Sequence, residues 1–135
     1  METHVPARAN ISADSLHRAW HGFVWMNPPY GGRNSLEPWL DRFFLHGNGI
    51  ALVPDRTSAP WFQVAFAKAD AVLFTPKLKF LRPDGSVGKS PSNGSALIAI
   101  GPQGSTALDH AYRCGLGILA FPAERLIEAH GRAAA

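Results

Sequence analysis

Apolar positions along the chain fall into short separate runs, and their spacing changes from run to run. Phe23 to Met26 is a continuous apolar run, which predicts a short strand. Leu36, Trp39, Leu40, Phe43 and Phe44 then recur at i, i+3, i+4, i+7 and i+8, the one-faced pattern of an amphipathic helix. Asn34 or Ser35 supplies its cap, Glu37 suits its positive end, Pro38 is tolerated in the first turn, and Gly47 and Gly49 stop it. Ile50 to Val53 is apolar at every position, as a parallel strand covered on both faces would be. Ser58 and Pro60 open a second helix with Trp61, Phe62, Ala65 and Phe66 on one face. Ala71 to Phe74 is a third apolar run. After Pro76 the pattern turns to alternation, Leu78 and Phe80 against Lys77 and Lys79, which predicts an exposed extension, with Arg82 to Gly85 as turn chemistry. Ser95 to Ile100 predicts a fourth strand. A helix from about Ser105 to Cys114, a short strand Gly117 to Phe121 and a helix from Pro122 complete the pattern.

Strand, helix, strand, helix, strand is the signature of an α/β sheet, and such sheets place ligand sites beyond the carboxyl ends of their strands. Two polar stretches fall there, Asn27-Pro28-Pro29-Tyr30 and Pro54-Asp55-Arg56-Thr57, and the two are expected to lie near each other. The helical spacing of Trp39, Phe43, Phe44, Trp61 and Phe66 assigns these aromatics to the core.

Composition narrows the picture only a little. The 135 residues suit one domain, and 46% apolar against 17% charged residues places the chain among globular proteins rather than disordered ones. The net charge of +3 is compatible with an anionic partner and does not require one. Lys77, Lys79, Arg82 and Lys89 against Asp84 make the most basic segment. Cys114 stands alone and the six histidines miss metal-ligand spacing, so no metal is expected. No apolar stretch reaches membrane-spanning length, and no signal peptide is evident, so a cytoplasmic protein is expected.

Asn27-Pro28-Pro29-Tyr30 is the stretch with chemical content. Read plainly, Asn-Pro initiates a turn and the prolines end a strand. From average usage, a polar-Pro-Pro-aromatic tetrapeptide arises by chance in roughly a few per thousand chains of this size. Read chemically, two prolines fix two successive φ angles, so the Asn27 side chain and the Pro28 carbonyl face one way. Two acceptors beside an aromatic ring describe a pocket for the exocyclic amine of a nucleobase. Accepting both hydrogens of that amine favours a pyramidal nitrogen with a free lone pair, an interaction that strengthens toward a transition state.

These residues also match the catalytic motif of amino-methyltransferases acting on adenine in DNA. DSLHRAWHGFVWMNPPYG (14–31), GIALVPDRTSAPWF (49–62) and ADAVLFTPKLKFLRPDGSVGKSPSNGSALIAIG (69–101) resemble the phage DNA N-6-adenine methyltransferases, the Dam-type family. The resemblance covers about two thirds of the chain in order. It implies a partial Rossmann-like methyltransferase sheet ending in an antiparallel strand, Ser95 to Ile100. It also implies transfer of a methyl group from S-adenosylmethionine to a flipped-out adenine of double-stranded DNA, as in restriction-modification. Asn27 and Pro28 would hold the amine, Pro29 would stiffen the turn, and Tyr30 would stack on the base. No metal or covalent enzyme intermediate is called for. Arg56 and Thr57 are candidates for contact with DNA or with the reacting groups, with an ordinary surface turn as the alternative. Lys77, Lys79, Arg82 and Lys89 are candidates for phosphates, with a solvated strand extension as the alternative.

The sequence departs from the family in two ways. Glycine is usual near Pro76, and the matching region normally has more chain upstream, including an acidic segment that helps hold the cofactor. The expected organisation is therefore one methyltransferase domain, irregular over 1–13, family-like over 14–101, with a helix-strand-helix over 102–135. It is expected to lack much of the cofactor side and to bind S-adenosylmethionine weakly or not at all, so that no cofactor-binding residue is assigned. The competing expectation is an inactive remnant that keeps a nucleobase or DNA surface. A second alternative is a permuted nucleotide fingerprint, with Gly101-Pro102-Gln103-Gly104 opening a helix and Glu124 beyond it. Without an upstream neighbour, Phe23 to Met26 becomes an edge through which the protein is expected to self-associate.

Overall fold

The computed structural model describes residues 15–29, 36–77, 84–86 and 94–125. After a short 3-10 turn, Ser15–His17, come β1 (Val24–Met26), α1 (Glu37–His46), β2 (Gly49–Pro54), α2 (Pro60–Lys68), β3 (Ala71–Phe74), β4 (Ser95–Ile100), α3 (Pro102–Arg113) and β5 (Ile118–Ala120). The strands form one five-stranded mixed sheet in the order β1-β2-β4-β3-β5.

β1 and β2 are parallel, with Val24 opposite Gly49 and Met26 opposite Ala51. β4 lies between β2 and β3 and runs antiparallel to both, so β1, β2 and β3 share one direction. β5 closes the far side, antiparallel to β3. The strand over Ser95–Ile100 thus runs against its neighbours, as expected of it, but it occupies the middle of the sheet. From Ala96 to Ile100 its residues are apolar because both faces and both edges are covered.

Alternation along the strands sorts the core into two layers. Ala51, Val53, Val72, Ala96 and Ile98 pack with Leu40, Phe43, Phe62 and Ala65 under α1 and α2. Ile50, Leu52, Leu73, Leu97 and Ala99 pack with Leu108 under α3. Two successive crossovers moving the same way along the sheet explain why α1 and α2 share a face. Phe43 and Phe62 are fully buried, whereas Trp39, Phe44, Trp61 and Phe66 pack against the core while remaining half-buried.

The helix ends differ from their sequence signals. α1 begins after Leu36 and α2 after Ala59, each with proline in the first turn and neither with a side-chain cap. Asn34 and Ser35 lie outside the described residues. Gly47 ends α1 in the left-handed conformation at φ 78°, its N–H on the Phe43 carbonyl. α3 starts at Pro102, three residues before the expected Ser105, because Gly101 turns the chain at φ 88° directly out of β4. After Pro122 the chain enters a helical turn, with the Arg125 N–H on the Pro122 carbonyl.

Candidate functional site

Because β1, β2 and β3 run in one direction, their carboxyl ends meet on one side of the sheet with the amino end of β4. Asn27, Pro28 and Pro29 leave β1 there. Pro28 is buried while Asn27 and Pro29 are exposed, so the buried ring anchors the turn and leaves the Asn27 amide facing solvent. Tyr30, Lys79, Arg82 and Lys89 lie outside the described residues.

Arg56 and Thr57 follow β2 and are both exposed. Their turn is tied down by its own backbone. The Thr57 N–H donates to the Asp55 carbonyl (2.9 Å), the Ala59 N–H to Arg56 (3.0 Å), and Gln63 of α2 donates to the Thr57 carbonyl (3.2 Å). Met26 pairs with Ala51 while β2 continues to Pro54, so the turn stands about three strand rises, roughly 10 Å, beyond the end of β1. The two stretches share a sheet end, then, but Arg56 flanks the Asn27 turn and is not its immediate neighbour. Lys77 leaves the end of β3 in the same region and is exposed.

Sequence reasoning missed what ties this end together. Thr75 is buried, and both its N–H (3.1 Å) and its hydroxyl (3.2 Å) donate to the Ser95 carbonyl. The Asp55 N–H donates to the Gly94 carbonyl (3.2 Å), and a side chain at 94 would collide with the Asp55 carboxylate. The available signal was a threonine held between an apolar run and a proline. At Asp84–Ser86, the Asp84 carboxylate accepts from the Ser86 hydroxyl (2.6 Å) and amide (2.9 Å). Those hydrogen bonds hold its carboxyl below the usual aspartate range.

The Gly101–Gly104 turn is closely packed. Its glycines are there for packing: a Cβ on Gly104 would lie 2.7 Å from the Gly49 carbonyl oxygen, and one on Gly101 would lie 2.8 Å from that of Gly47. The Gly101 N–H already donates to Asp70 (2.7 Å), whose other oxygen pairs with Arg125 at 2.6 Å. A carboxylate therefore holds the positive end of α3, and Glu124 is exposed. Among the described residues no buried side-chain polar atom lacks a partner, and no group of three or more His, Cys, Asp or Glu gathers for a metal. No helix among them is long and apolar enough to cross a membrane.

No family model matches the chain, and no solved structure matches it. The chain is similar to a genome polyprotein of Brome streak virus (strain German), 36% identical over 75 residues, which is 56% of this chain and 7% of that polyprotein. The chain thus spans a small fraction of the protein it matches.

Proposed function

We propose that the strand-end site belongs to a site-specific DNA adenine methyltransferase of the phage N-6-adenine type. On this reading the methyl group of S-adenosylmethionine goes to the exocyclic amine of an adenine, on a Rossmann-like sheet. The observation that carries the reading is the placement of Asn27. It stands exposed at the carboxyl end of a parallel strand, next to a buried proline that holds its turn, on the side of the sheet that also bears Arg56, Thr57 and Lys77.

The chain's own residues have a limited task in this chemistry. The Asn27 side-chain oxygen and the Pro28 carbonyl accept the two hydrogens of the amine. That orients the nitrogen and withdraws its lone pair from the ring, and the acceptors gain as positive charge develops on nitrogen. Tyr30 stacks on the base, while Arg56, Thr57, Lys77, Lys79, Arg82 and Lys89 meet the DNA backbone. S-adenosylmethionine supplies the methyl group when bound. The glycine turn weighed for holding it, Gly101–Gly104, is occupied by close packing and by Asp70.

The same finding favours a second reading, in which the chain keeps the nucleobase site but does not transfer. One experiment separates them: the full chain, labelled S-adenosylmethionine and adenine-containing DNA, followed by digestion to nucleosides. Label on the adenine amine that disappears in Asn27→Ala supports the enzyme. Adenine-dependent DNA binding without label supports the non-transferring reading, and label on another base contradicts both.

A further inference from the structure

A hollow opens at the end of the sheet opposite Asn27. About 560 Å³ in volume, it is lined by Asp41, Phe44 and Leu45 of α1, Lys68 at the end of α2 and Ile100 at the end of β4. Ile100 pairs with Gly49, the first residue of β2, and Lys68 stands just before β3, which fixes the hollow at the amino ends of the parallel strands. It shares Asp41, Phe44 and Lys68 with a narrower groove of about 160 Å³ between the two helices. Leu45 on its wall is 80% exposed, a large aliphatic surface beside the Phe44 ring.

The chain itself leads to this place. Asp70 follows Lys68 closely and is bonded through both carboxylate oxygens. One accepts from the Gly101 N–H (2.7 Å), next to Ile100, and the other pairs with Arg125 at 2.6 Å. Arg125 is thus held beside the residues that border the hollow. It stands in the helical turn after Pro122, whose ring is fully buried. The face of that turn bearing Pro122 and Arg125 is therefore directed at the body of the protein. On the same face, at i+4 and i+7 from the proline, the sequence places Leu126 and Ala129, both apolar and both beyond the described residues. A volume of 560 Å³ falls within the roughly 300–1,000 Å³ of small-molecule sites, but its polar lining is one carboxylate and one ammonium. Any separate ligand or second copy would also compete with a segment tethered beside the hollow, at an effective concentration on the order of millimolar.

We propose that the segment following Arg125 docks in this hollow, with Leu126 seated among Phe44, Leu45 and Ile100 and the Asp70–Arg125 ion pair as the latch that holds it. The inference is independent of the methyltransferase reading, since the hollow and Asn27 lie at opposite ends of the sheet. Methyl-resolved nuclear Overhauser spectra of the full chain test it. Cross-peaks are expected from the Leu126 methyls to those of Leu45 or Ile100 within one molecule. Leu126→Asp should erase them and shift the Leu45 and Ile100 methyl resonances, while the Leu52 methyls, in the layer under α3, stay in place. Arg125→Gln, which cannot form the ion pair, should weaken the same cross-peaks. Circular dichroism checks that each variant is folded. Wild-type spectra without these cross-peaks overturn the proposal. So do cross-peaks that join differently labelled copies in a mixed sample, which would seat a second chain in the hollow. Cross-peaks as strong in Arg125→Gln as in the wild type would overturn the latch.

Discussion

β1 and β2 are adjacent parallel strands with unlike surroundings. β2 is paired on both sides and buried on both faces, with α1 and α2 over Ala51 and Val53 and α3 over Ile50 and Leu52. Among the described residues β1 is three residues long, paired on one side and covered on one face: Val24 and Met26 pack under α1, while Trp25 on the other face is 56% exposed. α3 covers the middle and far strands and leaves that face of β1 open. Burial is concentrated in β2, which leads into Arg56 and Thr57, and not in β1, which leads into Asn27. The Asn27 turn sits at the tip of a short edge strand, which can present Asn27 without burying it. The edge itself is short. Val24 sends its N–H to the Asn48 carbonyl (3.0 Å), so the Trp25 amide and carbonyl point to the other side of β1, where no strand lies among the described residues. A lysine at Val24 would disturb the core, so Trp25 is the position that reports on the edge.

The contrast can be broken most forcefully in the core. Phe62 is fully buried and packs on Phe66 and Phe74, so Phe62→Ala should cost about 3–5 kcal/mol in a denaturant titration. Trp25→Ser, on the open face, should change stability by only about 0.5 kcal/mol. Similar losses at the two positions would mean that something covers β1.

At the strand end the expected effects are functional. Tyr30→Ala should lose about 1–3 kcal/mol of affinity for DNA with an unpaired adenine, whereas Tyr30→Phe, which keeps the stacking face, should lose little. Equal losses would show that the hydroxyl and not the ring is used. The smallest effect belongs to the Asp84–Ser86 turn. Its carboxyl is lowered in the folded state, so the turn is favoured above the ordinary aspartate range and loosens as pH falls through the depressed value. The group is fully exposed, so the change should appear as a local shift of the Ser86 amide resonance and leave global unfolding unaffected.

The fold was legible where burial was two-sided or periodic. The all-apolar run at Ile50 to Val53, the heptad-like spacing of α1 and the parallel β1–β2 pair all follow from the pattern of side chains. The position of β4 between β2 and β3 was not legible, because a strand buried on both faces reads the same wherever it lies in the sheet. Nor was the Asp70 link, since it joins Gly101 and Arg125, partners distant in sequence. The glycines of 101–104 suggested a ligand loop, yet close packing of a helix on a strand demands the same residues. In the candidate site, proline stiffness announced Asn27. The three-residue offset that sets Arg56 back depends on strand length, which local sequence does not encode.

The central claim is that Asn27 and the Pro28 carbonyl recognise an exocyclic amine. Fluorescence anisotropy on the full chain, with DNA carrying one unpaired adenine and the same DNA carrying unsubstituted purine there, measures it directly. The amine contributes two hydrogen bonds, so adenine should bind roughly ten- to a hundredfold more tightly, and Asn27→Ala should erase most of that difference while leaving the folded state intact. Equal affinity for adenine and purine in the wild type, or a preference unchanged in Asn27→Ala, would contradict the account.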